Sequence, residues 1–441
     1  MSKRIFLAVC LLFLALANIT LVAQQPARKT VEPNIAAANT AKVLETTGQL
    51  LEEVSKLRGL KILSPVKSGA KSRSEIEQEI IRGFEEDSTP EELDTTNKVL
   101  IAYGLVPKDF KYREFMIRLM TEQVAGFYRP KTKELFIADW NDLEQQKPVM
   151  VHELQHALQD QHFNLRRFEK WPNGDGDRET AIHALIEGDA TALMYNYQLK
   201  PMGSDITKLP SIAGFADQTT AQAERDKQQV FLSAPAALRE SLIFSYVYGA
   251  AFVQEMLKKR GWEGVSQAFT DLPQSTEQIL HFEKYVAKEM PVKVELADVS
   301  KLLGSGWRRL DAEVNGEFGY FIILSEFIGK KEARTASAGW GGDQSTLYEN
   351  SKTGQLMLAH LSKWDTAKDA EEFFRAYTER TRKRFPQAKQ LPAKVETERS
   401  FQTPEGTIFI ELRDLSVLVL EGLPDGRQSE QAGLTAALWG K

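Results

Sequence analysis

His152-Glu153-Leu154-Gln155-His156 is the stretch on which the reading of this chain turns. On a helix, residues four apart lie one above the other, so both imidazoles can reach one metal ion. The glutamate between them sits beside that ion and can take a proton from a zinc-bound water. The chain has only six histidines, and His152, His156 and His162 are three of them. Val151, Leu154, Ala157 and Leu158 supply apolar neighbours, so the helix is expected to be half buried.

Two histidines do not complete a catalytic zinc site, for which three protein ligands and an open position are usual. Glu187 is the preferred third ligand. It lies in Ala184-Leu185-Ile186-Glu187-Gly188-Asp189-Ala190, and a carboxylate on so apolar a stretch is costly to bury without a cation. Gly188 would let that helix pack closely, and Asp189 could accept a hydrogen bond from a metal-bound imidazole. His162 is the alternative. Its His-x3-His-x5-His spacing matches the metzincin pattern, but Gln159 stands where that pattern needs a glycine for a sharp turn. The mature chain has no thiolate to offer, because Cys10 is the only cysteine and lies in the leader.

On His152-Glu153-Leu154-Gln155-His156 and Glu187-Gly188-Asp189-Ala190 the chain resembles the gluzincin class of zinc metallopeptidases, the thermolysin-like superfamily in the broad sense. The resemblance covers roughly residues 110 to 285. It departs from thermolysin in lacking an Asn-Glu-x-x-Ser-Asp segment, which leaves the part of Asp189 open. It implies one Zn2+ held by His152, His156 and Glu187, peptide-bond hydrolysis with Glu153 as base, and a His or Tyr that stabilises the oxyanion. His281 is the first candidate for that donor, followed by Tyr248 and then Tyr246. His183, four residues before Glu187, reads as a buried, satisfied histidine, and His360 is assigned no part.

The rest of the chain sets the context. Lys3 and Arg4 precede an apolar run from Ile5 to Ala17, and Leu21-Val22-Ala23 offers a cleavage site, so residues 1–23 read as a signal peptide. That implies a secreted or periplasmic protein without disulfides, bacterial in character. The net charge of −5 over 441 residues argues against nucleic acid as a partner, and a peptide or protein substrate is expected instead. No later stretch is apolar for long enough to span a bilayer.

Residues 24–70 read as a flexible and then helical N-terminal segment, with helix from Ala41 to Leu60 and a polar loop from Pro65 to Ser72. A propeptide role for this segment is open. Residues 71–300 read as a mainly helical zincin-like domain. Ser74 with Glu77 spells a capping box, and Pro235 to Lys259 reads as one long helix. Val124–Tyr128 and Glu134–Ala138 read as a hairpin just before the motif helix, a place where extended substrate can add a strand. Asp175-Gly176-Asp177 lacks the spacing of a calcium loop. Residues 301–441 read as a smaller α+β domain of helices and hairpins. The fold class is therefore α+β. The alternative function is a non-catalytic envelope protein, in which the zincin core is structural and the C-terminal domain binds a partner.

Overall fold

The computed structural model describes residues 35–168, 174–424 and 428–440. The expected leader at 1–23 lies outside them. The chain is mixed α+β, 58% helical and 17% strand, with the helices concentrated in the N-terminal part and a large antiparallel sheet in the C-terminal part.

The N-terminal part opens with α1 (Ile35–Arg58), β1 (Lys67–Lys71), α2 (Arg73–Asp87), α3 (Pro90–Ala102) and α4 (Tyr112–Gln123). The hairpin β2 (Gly126–Arg129) and β3 (Glu134–Ala138) leads into α5 (Leu143–Phe163), and α6 (Gly176–Leu199) packs along it. Then come α7 (Ala216–Arg225), α8 (Gln229–Ser233), α9 (Ala236–Ile243), a π turn (Phe244–Tyr248), α10 (Gly249–Ala268), α11 (Thr276–Leu280), α12 (Phe282–Ala287) and α13 (Ser300–Leu303).

Several of these elements depart from the sequence expectations. The stretch expected as a polar loop contains β1, which pairs in parallel with β3 and makes a three-stranded sheet in the order β1-β3-β2. That strand shifts the cap of α2. The box is built on Ser72 and Glu75, not Ser74 and Glu77, because Ser72 is the first residue after the strand and still has extended backbone. Thr89 and Glu92 close a second box at α3. The long helix expected from Pro235 is interrupted by the π turn, and Gly261, at φ 62°, bends α10. Helix α5 begins well before Pro148, capped by Asp142, since a proline in the second turn removes only one intrahelical bond. It is buried on all sides from Val149 to Asp160, not on one face.

The C-terminal part is β4 (Trp307–Glu313), α14 (Gly316–Ile328), α15 (Lys330–Ser337), β5 (Trp340–Asn350), β6 (Leu356–Trp364), α16 (Ala367–Arg384), β7 (Lys389–Leu391), β8 (Glu398–Thr403), β9 (Gly406–Arg413), β10 (Ser416–Leu423) and α17 (Gln428–Leu438). Its strands form one antiparallel sheet ordered β4-β5-β6-β10-β9-β8-β7. The run Val417-Leu418-Val419-Leu420 is apolar throughout because both faces of β10 are covered. Val417 and Val419 join the main core, while Leu418 and Leu420 join a second cluster with Leu434 and Leu438 of α17. The main core runs without a break from Ile76 to Val419. Arg380, fully buried on α16, ties the two parts by pairing with Glu421 and donating to the Tyr103 carbonyl. No helix among the described residues is long and apolar enough to cross a membrane.

Candidate metal centre

Helices α5 and α6 bring His152, His156 and Glu187 together. One ligand atom from each lies within 4.8 Å of the others, and all three side chains are fully buried. The imidazoles stand almost perpendicular, at 80°, with centroids 4.7 Å apart. Their Nε2 atoms are 3.0 Å apart, and Glu187 Oε2 lies 3.1 Å from one and 3.5 Å from the other. Burial lowers the His152 pKa to about 4, so that ring is neutral at ordinary pH. Burial works against the charge of Glu187, but His156 and His152 outweigh it and hold the carboxyl well below its usual range.

The tautomer of His156 follows from its neighbours. Gln159 Nε2 donates to the Ile186 carbonyl at 3.0 Å and to Asp189 Oδ2 at 2.9 Å. Its Oε1 must therefore be the atom 2.8 Å from His156 Nδ1, which makes Nδ1 the proton donor and leaves Nε2 to face Glu187. Three further buried atoms have no hydrogen-bond partner: His152 Nδ1, Glu153 Oε1 and Glu187 Oε1. Two ring nitrogens and a carboxylate oxygen converging at this spacing, in a site closed to bulk water, fit one divalent ion held by two nitrogens and one oxygen.

Glu153 lies beside them and is also fully buried. Its Oε2 accepts from the Tyr128 backbone N–H at 2.8 Å, which anchors the carboxyl to strand β2. Burial pushes its pKa up to about 8. Strand β2 is an edge of the small sheet. Around it, Ala138 N donates to the Ala125 carbonyl and Lys133 N to the Arg129 carbonyl. By alternation, the Tyr128 N–H points away from β3, toward the outer side of β2, where Glu153 of α5 accepts it.

Asp189 stands behind the ligands. Gln155 and Gln159 both donate to its Oδ2, so it reaches His156 through Gln159 and not directly. The other face of Asp189 is clamped by Arg58 of α1. In the sequence Gln159 stands out only as the residue that breaks the metzincin pattern, and Gln155 and Arg58 are given no part. Gln155 occupies an unspecified position of the motif and Gln159 lies just beyond it, and an arginine at a helix end ordinarily reads as a solvated, dipole-favoured charge.

The other candidates are spread more widely. Tyr246, in the π turn, places its ring 6.0 Å from that of His152. Tyr248 is two residues on, and two residues in a helical turn face roughly opposite ways. Its hydroxyl accepts from Arg334 at 3.0 Å and its ring stacks on Phe244. His281 closes α11 and pairs with Glu317 at 3.0 Å, on the seam with the C-terminal part, and neither partner belongs to the His–His–Glu group. His183 Nδ1 meets Ser245 Oγ at 3.1 Å, and its Nε2 lies 3.6 Å from Glu187. His162 meets the Lys61 carbonyl at 2.7 Å and stays outside the group. His360 is buried in the C-terminal core against Tyr320. Asp175 caps α6, and Asp177 accepts from the Thr276 backbone, so the Asp-x-Asp loop is spent on structure.

The π turn is held against the ligand helix by two glycines. A Cβ on Gly188 would run into the Gly249 backbone, and one on Gly249 into the Ala184 carbonyl. The backbones of α6 and α10 therefore touch one residue after Glu187 and three after Tyr246.

Residues 303–432 match the family model described as "Domain of unknown function (DUF8575)"; the match spans all seven strands of the C-terminal sheet and leaves α5 and α6 outside. No curated protein and no solved structure matches the chain.

Proposed function

We propose that this protein is a zinc-dependent endopeptidase, exported by the leader that residues 1–23 spell. The observation that carries the reading is the convergence of His152, His156 and Glu187, with Glu153 buried beside them and anchored to a strand edge. A zinc ion held by those three residues would make a water acidic and polarise a carbonyl. Glu153 takes the proton from the attacking water as its oxygen bonds to the peptide carbon. It then passes that proton to the leaving amine as the C–N bond breaks. The fixed Oε2 leaves Oε1 for this transfer. In this reading an extended substrate adds along the outer side of β2, and Tyr246, whose ring lies 6.0 Å from that of His152, donates to the oxygen that gains charge.

The test is zinc content and chelator-sensitive hydrolysis of unstructured peptides by the purified protein. Glu153→Gln is expected to keep the metal and to lower turnover by about 10²–10⁴-fold. Unchanged turnover in that variant sinks the mechanism. Zinc bound without hydrolysis by the wild type supports the non-catalytic, partner-binding reading instead.

A further inference from the structure

We infer that Arg58 is a positioning residue of the metal centre, and that α1 is thereby a permanent part of the enzyme and not a detachable cover. The inference rests on the zinc reading above.

The observation is a continuous buried relay between two segments far apart in sequence. Arg58 is 1% exposed. Its Nε donates to Asp189 Oδ1 at 2.8 Å, and its Nη2 to Asp189 Oδ2 at 3.4 Å. Its Nη1 donates to Ser266 Oγ at 3.1 Å and to the Trp262 carbonyl at 3.3 Å, and its guanidinium lies 4.7 Å from the centre of the Trp262 ring. All three nitrogens of the fork are thus engaged. From Asp189 the relay continues through Gln159 to His156 Nδ1. Gln155 reaches the same carboxylate oxygen from one turn earlier.

The physical consequence is directional. Asp189 orients the Gln159 amide so that its oxygen faces His156, which fixes the proton on Nδ1 and turns Nε2 toward Glu187. Asp189 is fully buried, and an unpaired carboxylate there would be costly, so it is held in place by a cation that faces it. Arg58 is that cation. The rest of α1 supports the placement. Val43, Leu50, Leu51 and Val54 pack with Leu154 and Leu158 of α5 and Leu193 of α6, and the chain then enters the small sheet as β1. Removal of this segment would take the arginine and an edge of the sheet with it.

The experiment compares zinc affinity, by chelator competition, and the visible absorption of the Co2+-substituted protein in wild type, Arg58→Met, Arg58→Lys and Val54→Ala. Both Arg58 variants are expected to bind zinc more weakly, by about 10- to 100-fold for Arg58→Met, and to shift the Co2+ bands. Val54→Ala removes buried packing from the same helix. It should lower the melting temperature and leave affinity and spectrum as they are. Affinities in both Arg58 variants equal to wild type overturn the inference, as does an equal loss in Val54→Ala. If Arg58→Met does not fold, Arg58→Lys decides, since it keeps the charge and loses only the fork. A wild type that binds no zinc sinks the peptidase reading itself, whereas zinc-loaded wild type with unaffected Arg58 variants sinks this inference alone.

Discussion

Two places among the described residues gather three possible ligands within 4.8 Å of one another: His152, His156 and Glu187 in one, and Glu277, Glu289 and Asp365 in the other. By distance alone they are equivalent. They differ in where the positive charge comes from. In the second group the Lys284 ammonium sits among the carboxylates, 2.7 Å from Glu277, 2.6 Å from Glu289 and 2.7 Å from Asp365. The chain supplies its own cation, and the cluster is an ion-pair pin joining α11 and α12 to the end of β6. In the first group no lysine or arginine among the described residues pairs with Glu187. Arg58, the nearby guanidinium, is engaged with Asp189. The zinc proposal rests on that difference, a carboxylate that faces imidazoles and no fixed cation.

The comparison can be broken most sharply by exchanging one carboxylate in each group. Glu187→Ala is expected to abolish zinc binding and turnover, while Glu277→Ala leaves zinc stoichiometry at the wild-type value. Metal analysis of both purified variants reads this directly, and loss of zinc from the Glu277 variant would contradict the distinction drawn here. Within the first group, Tyr246→Phe should lower turnover by about 10²–10³-fold with zinc retained, as for loss of an oxyanion donor. Tyr248→Phe, whose hydroxyl is bound to Arg334, should change turnover little. The reverse order would move the donor to Tyr248.

Within the second group, Lys284→Met leaves Glu277, a mostly buried carboxylate, facing two others without a cation. A lower melting temperature is expected, measured by calorimetry, with no change in zinc affinity. The smallest effect concerns His281. The hydrogen bond to Glu317 holds its pKa above the ordinary 6.5, against the pull of burial. Its stabilising contribution is then full below about 6.5 and is lost as pH rises through the higher folded-state value. The carboxyl of Glu317, itself raised by burial, acts in the same direction. Melting temperature should fall between pH 6 and 8 in wild type, and His281→Gln should flatten that slope.

Legibility divides along the same line between local and distant determinants. The pair His152 and His156 is visible because four residues are one helical turn, and Glu187 because a carboxylate stands out on an apolar helix. The hairpin before α5 is visible in its β-forming residues. Strand β1 is not, since Lys67-Ser68-Gly69-Ala70-Lys71 has no β-branched residue and owes its pairing to β3. The π turn is hidden because one extra residue per turn hardly alters an apolar periodicity, and it is this turn that separates Tyr246 from Tyr248. Arg58 is invisible for a different reason: its partner lies 131 positions away.

The contact between Gly188 and Gly249 has a bearing on precision. Side chains that meet through rotatable bonds can drift against each other by the width of a rotamer. Here Glu187 and the turn that carries Tyr246 are referenced to one another through main-chain atoms, which have no such freedom. The spacing between Glu187 and Tyr246 is therefore set like a machined stop. An added methyl at either glycine would open that gap as a rigid step, moving Glu187 and Tyr246 apart while both residues remain untouched.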